Sequence, residues 1–238
     1  MKQLCILGDS VMKGIIYRSG AGMHSYTLCD DGTFGPLTER GISVINRSRM
    51  GATVRYCGDR LDRLLPDTSD GRFAVLFEYG GNDSDHDWRA VSECPEGEHR
   101  PVTGPEEFVA VYKRNIERAK EAGAAVALTN LVPIDPDLYF RHIARGLSAG
   151  NILSWLGNVG MLYRFHEYYN GLVERVAAES GCPLIDIRSP FLLSHDYRSL
   201  ISDDGIHPSE KGHRLIRETL AENAGSMFFG LGEGSAIA

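Results

Sequence analysis

The chain has 238 residues, 42% of them hydrophobic and 24% charged, enough apolar material for a sizeable core in one large domain or two small ones. A formal net charge of −7 and an isoelectric point near 5.6 argue against a nucleic-acid or anionic-membrane partner, since both reward a basic patch. No apolar run reaches the roughly 18 residues of a membrane helix, and five cysteines without a C-x-x-C pair fit free thiols in a reducing compartment, not a disulfide framework or zinc site.

The start, "MKQLCILGDS", is too short for a signal-peptide core, so the expected location is cytoplasmic. Its apolar part, residues 3–8, reads as a strand that empties into Gly8-Asp9-Ser10. A second strand is expected at 42–46, followed by "NRSRMGAT" with Gly51 and a helix over 53–65. The run 73–80, "FAVLFEYG", predicts a third strand, leading into Gly81-Asn82-Asp83. Residues 84–104 look inserted. A helix over 105–123 opens on proline and acids and closes on glycine, the usual start and stop signals. The fourth strand falls at 125–131, a second insertion at about 132–160, and a helix at 161–181. The fifth strand is expected at 183–187, then "DGIHP" (204–208) and a last helix at 209–225.

Strands that are nearly continuous in apolar residues suit a parallel sheet covered on both faces, and their alternation with helices predicts a three-layer α/β/α sandwich. Residues 1–225 are expected to form one domain, and 226–238 a flexible tail. Both insertions follow strands, which places them at the carboxyl edge of the sheet, where open α/β folds bind ligands.

Four short stretches fall on that edge: Gly8-Asp9-Ser10, Gly51, Gly80-Gly81-Asn82-Asp83 and Asp204-Gly205-Ile206-His207. Taken in order, they resemble the four sequence blocks of the SGNH (GDSL-type) hydrolase superfamily, the GDSL-like lipases and acylhydrolases. The resemblance runs from residue 5 to about 215 and leaves the insertions uncovered. It implies a flavodoxin-like fold with a central five-stranded parallel sheet, and an esterase that works through a serine nucleophile without metal or organic cofactor.

The chemistry of acyl transfer gives these residues roles. A serine hydroxyl needs a base to take its proton, and an imidazole suits that at neutral pH. Ser10 is the candidate nucleophile and His207 the candidate base. Asp204, three residues earlier, is close enough to accept the other ring N–H; Asp203 is the runner-up. The resemblance implies an oxyanion hole from the backbone N–H groups of Ser10 and Gly51 and the side-chain amide of Asn82. A glycine at 51 avoids crowding the substrate, and the dipole of a helix opened by Ser10 favours negative charge. Asp9 and Asp83 are read as loop-shaping residues that bond backbone N–H groups.

Other constellations weigh less. Lys13 precedes its glycine, so "GDSVMKG" is no phosphate-binding loop. Asp83, Asp85, His86 and Asp87 could hold a divalent ion, but a solvated acidic loop is the better reading. "HEYYN" (166–170) lacks the second histidine of a zinc protease, and His213 reads as an ordinary helix residue. Trp88, Tyr139, Phe140 and Trp155 either wall an acyl or sugar pocket or fill a secondary core.

The expected partner is a small-molecule ester, with no nucleic acid and no membrane insertion, and nothing in the sequence sets an oligomeric state. The absence of a long apolar tract leans toward short acyl (acetyl) groups on a polar or carbohydrate carrier. The alternatives are a lysophospholipase or thioesterase of the same fold, or a non-catalytic binding module.

Overall fold

The computed structural model describes residues 2–20, 23–29, 34–65 and 73–229. Among them lie the strands β1 (Lys2–Gly8), β2 (Ile15–Gly20), β3 (Met23–Leu28), β4 (Ile42–Asn46), β5 (Phe73–Glu78), β6 (Ala125–Thr129) and β7 (Leu184–Ile185). Five of these pair in parallel, in the order β4-β1-β5-β6-β7. Numbered within the sheet alone this is 2-1-3-4-5, the flavodoxin-like winding. The chain reverses direction of winding between β1 and β5, and a crevice opens there at the carboxyl ends of the strands. The register sets Gly8 beside Glu78 at that point.

Alternation along the strands fills two cores. Cys5, Leu7, Phe73, Val75 and Phe77 face the helices Pro105–Glu121 and Gly160–Glu179, meeting Phe108, Tyr112, Leu172 and Val176. Leu4, Ile6, Ala74 and Leu76 face the opposite layer, with Ile216 and Leu220 of the helix Glu210–Glu222. Both faces are covered, so neither can be polar, and each large apolar side chain contributes about 1.5–3 kcal/mol on burial. The three expected layers are therefore present.

The insertions are ordered and helical. Trp88–Glu93 lies in the first, and Pro136–Ile143 and Ala149–Leu156 in the second. They join the start of the helix Gly160–Glu179 in a third apolar cluster built on Trp88, Val91, Ile134, Tyr139, Ile152, Leu156 and Leu162.

Three details depart from the sequence reading. The helix expected over 53–65 is two short ones, Val54–Gly58 and Leu61–Leu64, and the Gly58 carbonyl at the break accepts from Arg118 Nη1 at 2.6 Å. The boundary at 225 cuts through the short helix Ala224–Met227, and Met227 and Phe228 are buried in the second core, so the chain is still packed beyond it. The rest of the expected tail, 230–238, lies outside the described residues. Finally, β2 and β3 form an antiparallel hairpin that the sequence reading did not anticipate.

Candidate active site

β1 ends at Gly8, and Asp9 caps the one-turn helix Ser10–Lys13 by accepting from Val11 N at 2.8 Å. Gly14 (φ 86°) ends that helix after four residues, so the dipole expected behind Ser10 is that of a single turn and adds little. Ser10 is buried, at 7% exposure.

The 204–208 segment returns from the far end of the chain as a tight turn. Asp204 Oδ1 accepts from the backbone N–H groups of Ile206 (3.2 Å) and His207 (3.1 Å). Its Oδ2 lies 2.6 Å from His207 Nδ1, and His207 Nε2 lies 2.9 Å from Ser10 Oγ. Asp204 and His207 are both buried. With the carboxylate holding the proton on Nδ1, Nε2 is left as an acceptor for the serine hydroxyl. Asp203 points elsewhere: it accepts from Ser19 Oγ at 2.7 Å and from Arg198 at 3.2 Å.

Gly205 makes this turn possible. Its φ is 81°, and a Cβ there would sit 2.5 Å from Tyr139 N and 2.6 Å from Asp135 O. Its carbonyl accepts from Asp135 N at 2.8 Å, so the turn rests directly on the second insertion.

Asn82 Nδ2 donates to Asp9 Oδ2 at 3.0 Å and to the Ala52 carbonyl at 3.1 Å, so both amide hydrogens are engaged in the resting structure. Gly51 is exposed, with φ 73° and nothing within 4 Å of an added Cβ. The left-handed backbone by itself calls for glycine there. Asp83 is buried and accepts from Val54 N at 3.2 Å, so it and Asp9 both bond backbone N–H groups as expected of loop-shaping residues. Loss of water pushes Asp83 up to about 7.

The stretch 83–87 is not a solvated acidic loop. Asp83 and His86 are buried and only Asp87 is fully exposed. Asp85 Oδ1 accepts from Trp88 Nε1 (2.7 Å) and Tyr139 Oη (2.6 Å), tying the first insertion to the second.

A cavity of about 70 Å³ opens beside Ser10, Asn82 and His207. Trp88 and Tyr139 line it; Phe140 and Trp155 do not. Phe140 packs within the insertion cluster, and Trp155 stands behind His86 with ring centroids 5.1 Å apart. The wall also carries His86, Phe165, His166 and Ile206, none of which the sequence reading singled out as lining residues.

Two further groups were not foreseen. Glu78 is buried, and its Oε2 accepts from Asp9 N at 3.2 Å. Burial and the neighbouring Asp9 carboxylate push Glu78 well above the usual range, and burial also raises Asp9. Like charges this close disfavour double ionisation, and Asp9 accepts from Val11 N and Asn82 Nδ2. An acid ending the otherwise apolar run "FAVLFE" was the available signal. The second group is Tyr26 of β3, whose ring meets the His207 ring edge-on at 5.4 Å and whose hydroxyl lies 3.3 Å from His142 Nε2.

Comparison with known proteins gives a family and a fold. The model of the GDSL-like Lipase/Acylhydrolase family matches residues 6–215. No curated protein matches the chain. Solved structures do. A lipase/acylhydrolase from Enterococcus faecalis has 19% identity and a TM-score of 0.61, over 94% of this chain and 96% of that one. A catalytic mutant of an acetylxylan esterase from Geobacillus stearothermophilus has 19% identity and a TM-score of 0.62, over 94% of each chain. A psychrotrophic esterase from Pseudoalteromonas sp., inhibited by monoethylphosphonate, has 19% identity and a TM-score of 0.58, over 94% and 96%. At these identities the likeness is one of fold.

Proposed function

The chain belongs to the GDSL-like lipase/acylhydrolase family and is a hydrolase acting on ester bonds, and from that premise we propose that it cleaves small carboxylic esters through an acyl-enzyme on Ser10. The observation that carries this reading is the buried relay Asp204–His207–Ser10, with contacts of 2.6 and 2.9 Å. His207 takes the Ser10 proton as the hydroxyl attacks the carbonyl, and returns it to the leaving alcohol. Asp204 fixes the tautomer and stabilises the imidazolium as it forms. Water then repeats the cycle on the acyl-enzyme.

The oxyanion of each tetrahedral intermediate is held by the N–H groups of Ser10 and Gly51 and by the amide of Asn82. Asn82 enters by sharing one of the hydrogens it gives Asp9 and Ala52 at rest.

The size of the cavity favours a short acyl group. At about 70 Å³ the cavity is small beside an extended fatty acyl chain, which weighs against a lysophospholipase. Five unpaired cysteines support a cytoplasmic setting, and no helix of the described residues is long and apolar enough to cross a membrane.

The test is turnover of p-nitrophenyl acetate together with labelling by a fluorophosphonate. Wild type turns over and is labelled; Ser10→Ala does neither. Undiminished hydrolysis by Ser10→Ala would remove Ser10 from the mechanism, and a wild type that resists the label would favour a binding module of the same fold.

A further inference from the structure

The cavity wall contains two imidazoles that the proposed reaction does not use. His86 and His166 both line it, and each is 7% exposed. In each ring Nδ1 is sealed off without a hydrogen-bond partner. Neither Nε2 bonds to any described residue, and neither is sealed, so Nε2 is the nitrogen left to meet a bound molecule. An orphaned N–H is rarer in protein interiors than an unsatisfied acceptor, which assigns the proton of each neutral ring to Nε2.

Burial pushes His86 down to about 4, helped by His99, and His166 down to about 3, helped by Arg188. Both rings therefore stay neutral near pH 7. The rest of the wall includes Leu131, Ile134, Leu162 and Phe165. Other buried polar atoms without partners, such as those of Tyr112 and Thr129, belong to residues outside it. The cavity is thus a largely apolar pocket that carries, besides Ser10, Asn82, His207 and the acids Asp9, Glu78 and Asp85, two imidazoles whose Nε2 is open to a bound molecule.

We propose that His86 and His166 are specificity residues whose Nε2–H groups donate to substrate oxygens, so that the preferred ester carries a hydroxyl-bearing group next to the scissile bond. The inference rests on the esterase reading above and names its substrate class. A plain hydrocarbon group of the same size leaves both donors desolvated and unpaired, and a site built to bond an oxygen discriminates strongly against an analogue without one. The oxygen can belong to a short hydroxyacyl chain or to a sugar ring bearing the acyl group; either presents the same acceptors.

Two matched pairs separate these sources. p-Nitrophenyl 3-hydroxybutyrate against p-nitrophenyl butyrate probes the acyl side. The monoacetate of methyl β-xyloside against cyclohexyl acetate, followed by acid release, probes the carrier side. Wild type is expected to favour the hydroxylated member of at least one pair by about tenfold or more in kcat/KM. His86→Phe and His166→Phe, which keep a ring and lose the donors, are expected to reduce that ratio to within about threefold, and His166→Gln, which keeps an N–H, to retain part of it. No preference in either pair for wild type overturns the inference whatever the variants do, and so does a preference that survives both substitutions to Phe. If wild type hydrolyses none of the four esters and escapes the fluorophosphonate, the esterase reading itself has failed, and this inference with it.

Discussion

Two adjacent aspartates separate a relay from a surface contact. Asp204 is buried under His207, whereas Asp203 bonds Ser19 and Arg198. Asparagine at 204 could still accept the turn's backbone N–H groups, but its amide would donate toward Nδ1 and push the ring proton to Nε2, where it blocks the serine. Asp204→Asn is therefore expected to lower kcat by about 10⁴, and Asp203→Asn to change it less than about threefold. Equal losses in steady-state assays would mean the acid has been misassigned. Glu78 makes a different claim. Its carboxyl is raised, so the folded protein binds that proton more tightly than the unfolded chain. The resulting stability is complete below the unfolded value near 4.3 and is lost as pH rises through the folded one. Glu78→Gln keeps a neutral side chain at every pH, so its Tm should gain on wild type from pH 5 toward pH 9. A Tm difference that stays constant or shrinks toward alkaline pH would contradict the raised Glu78 carboxyl.

Among the elements, the glycine of the 204–208 turn is the most demanding. Adding a methyl group to Gly205 drives it into the backbone of Asp135 and Tyr139, which cannot swing aside as a side chain would. Gly205→Ala is expected to lower Tm by about 5–15 °C and reduce turnover together. A variant melting like wild type would show that the contact yields easily. The central strands β1, β5 and β6 were legible because burial on both faces leaves almost unbroken apolar runs, and the partly covered edge strand β4 was expected at its observed limits, 42–46. The hairpin was not, because "IIYRSG" and "MHSYTL" mix polar and apolar residues on a ribbon with only part of its surface covered. Its turn signal lay in "RSGAG". The same principle divides the site. Ser10, Asn82, Asp204 and His207 stand in short motifs that sequence order preserves, whereas His86, His166 and Glu78 acquire meaning only from neighbours on other elements. Trp88, Tyr139, Phe140 and Trp155 were weighed equally as cavity wall or secondary core, and residue type alone could not tell the two that line the cavity from the two that do not.

For the molecule as a whole, buried titratable groups oppose one another. His213 donates to the Ile15 carbonyl at 2.9 Å, pinning the helix Glu210–Glu222 to β2, and burial pushes it down to about 4. It joins His86 and His166 as a histidine held neutral in the fold. A lowered folded value means stability that is present above the unfolded pKa near 6.5 and lost as pH falls toward about 4. For His213 the full difference is on the order of 3 kcal/mol. Glu78 and Asp83 act in the opposite sense, since the folded chain holds their protons where the unfolded chain does not. The two sets offset each other between pH 4.5 and 6, so the Tm of wild type should vary little there. His213→Gln, which can still donate to Ile15, removes one histidine from the balance. Its Tm relative to wild type should climb as the solution is acidified from pH 6.5 to 4.5, and a flat difference would mean His213 is not held neutral.

The hydrogen bond from Asp135 N to the Gly205 carbonyl joins the segment that shapes the cavity to the turn that carries Asp204 and His207. Laboratory evolution of residues 132–160 would then not be a free search over substrate choice. Exchanging that stretch for one from a distant homologue would shift the Asp204–His207 turn along with the pocket, and chimaeras that keep the local backbone of Asp135 to Tyr139 should be the ones that stay active.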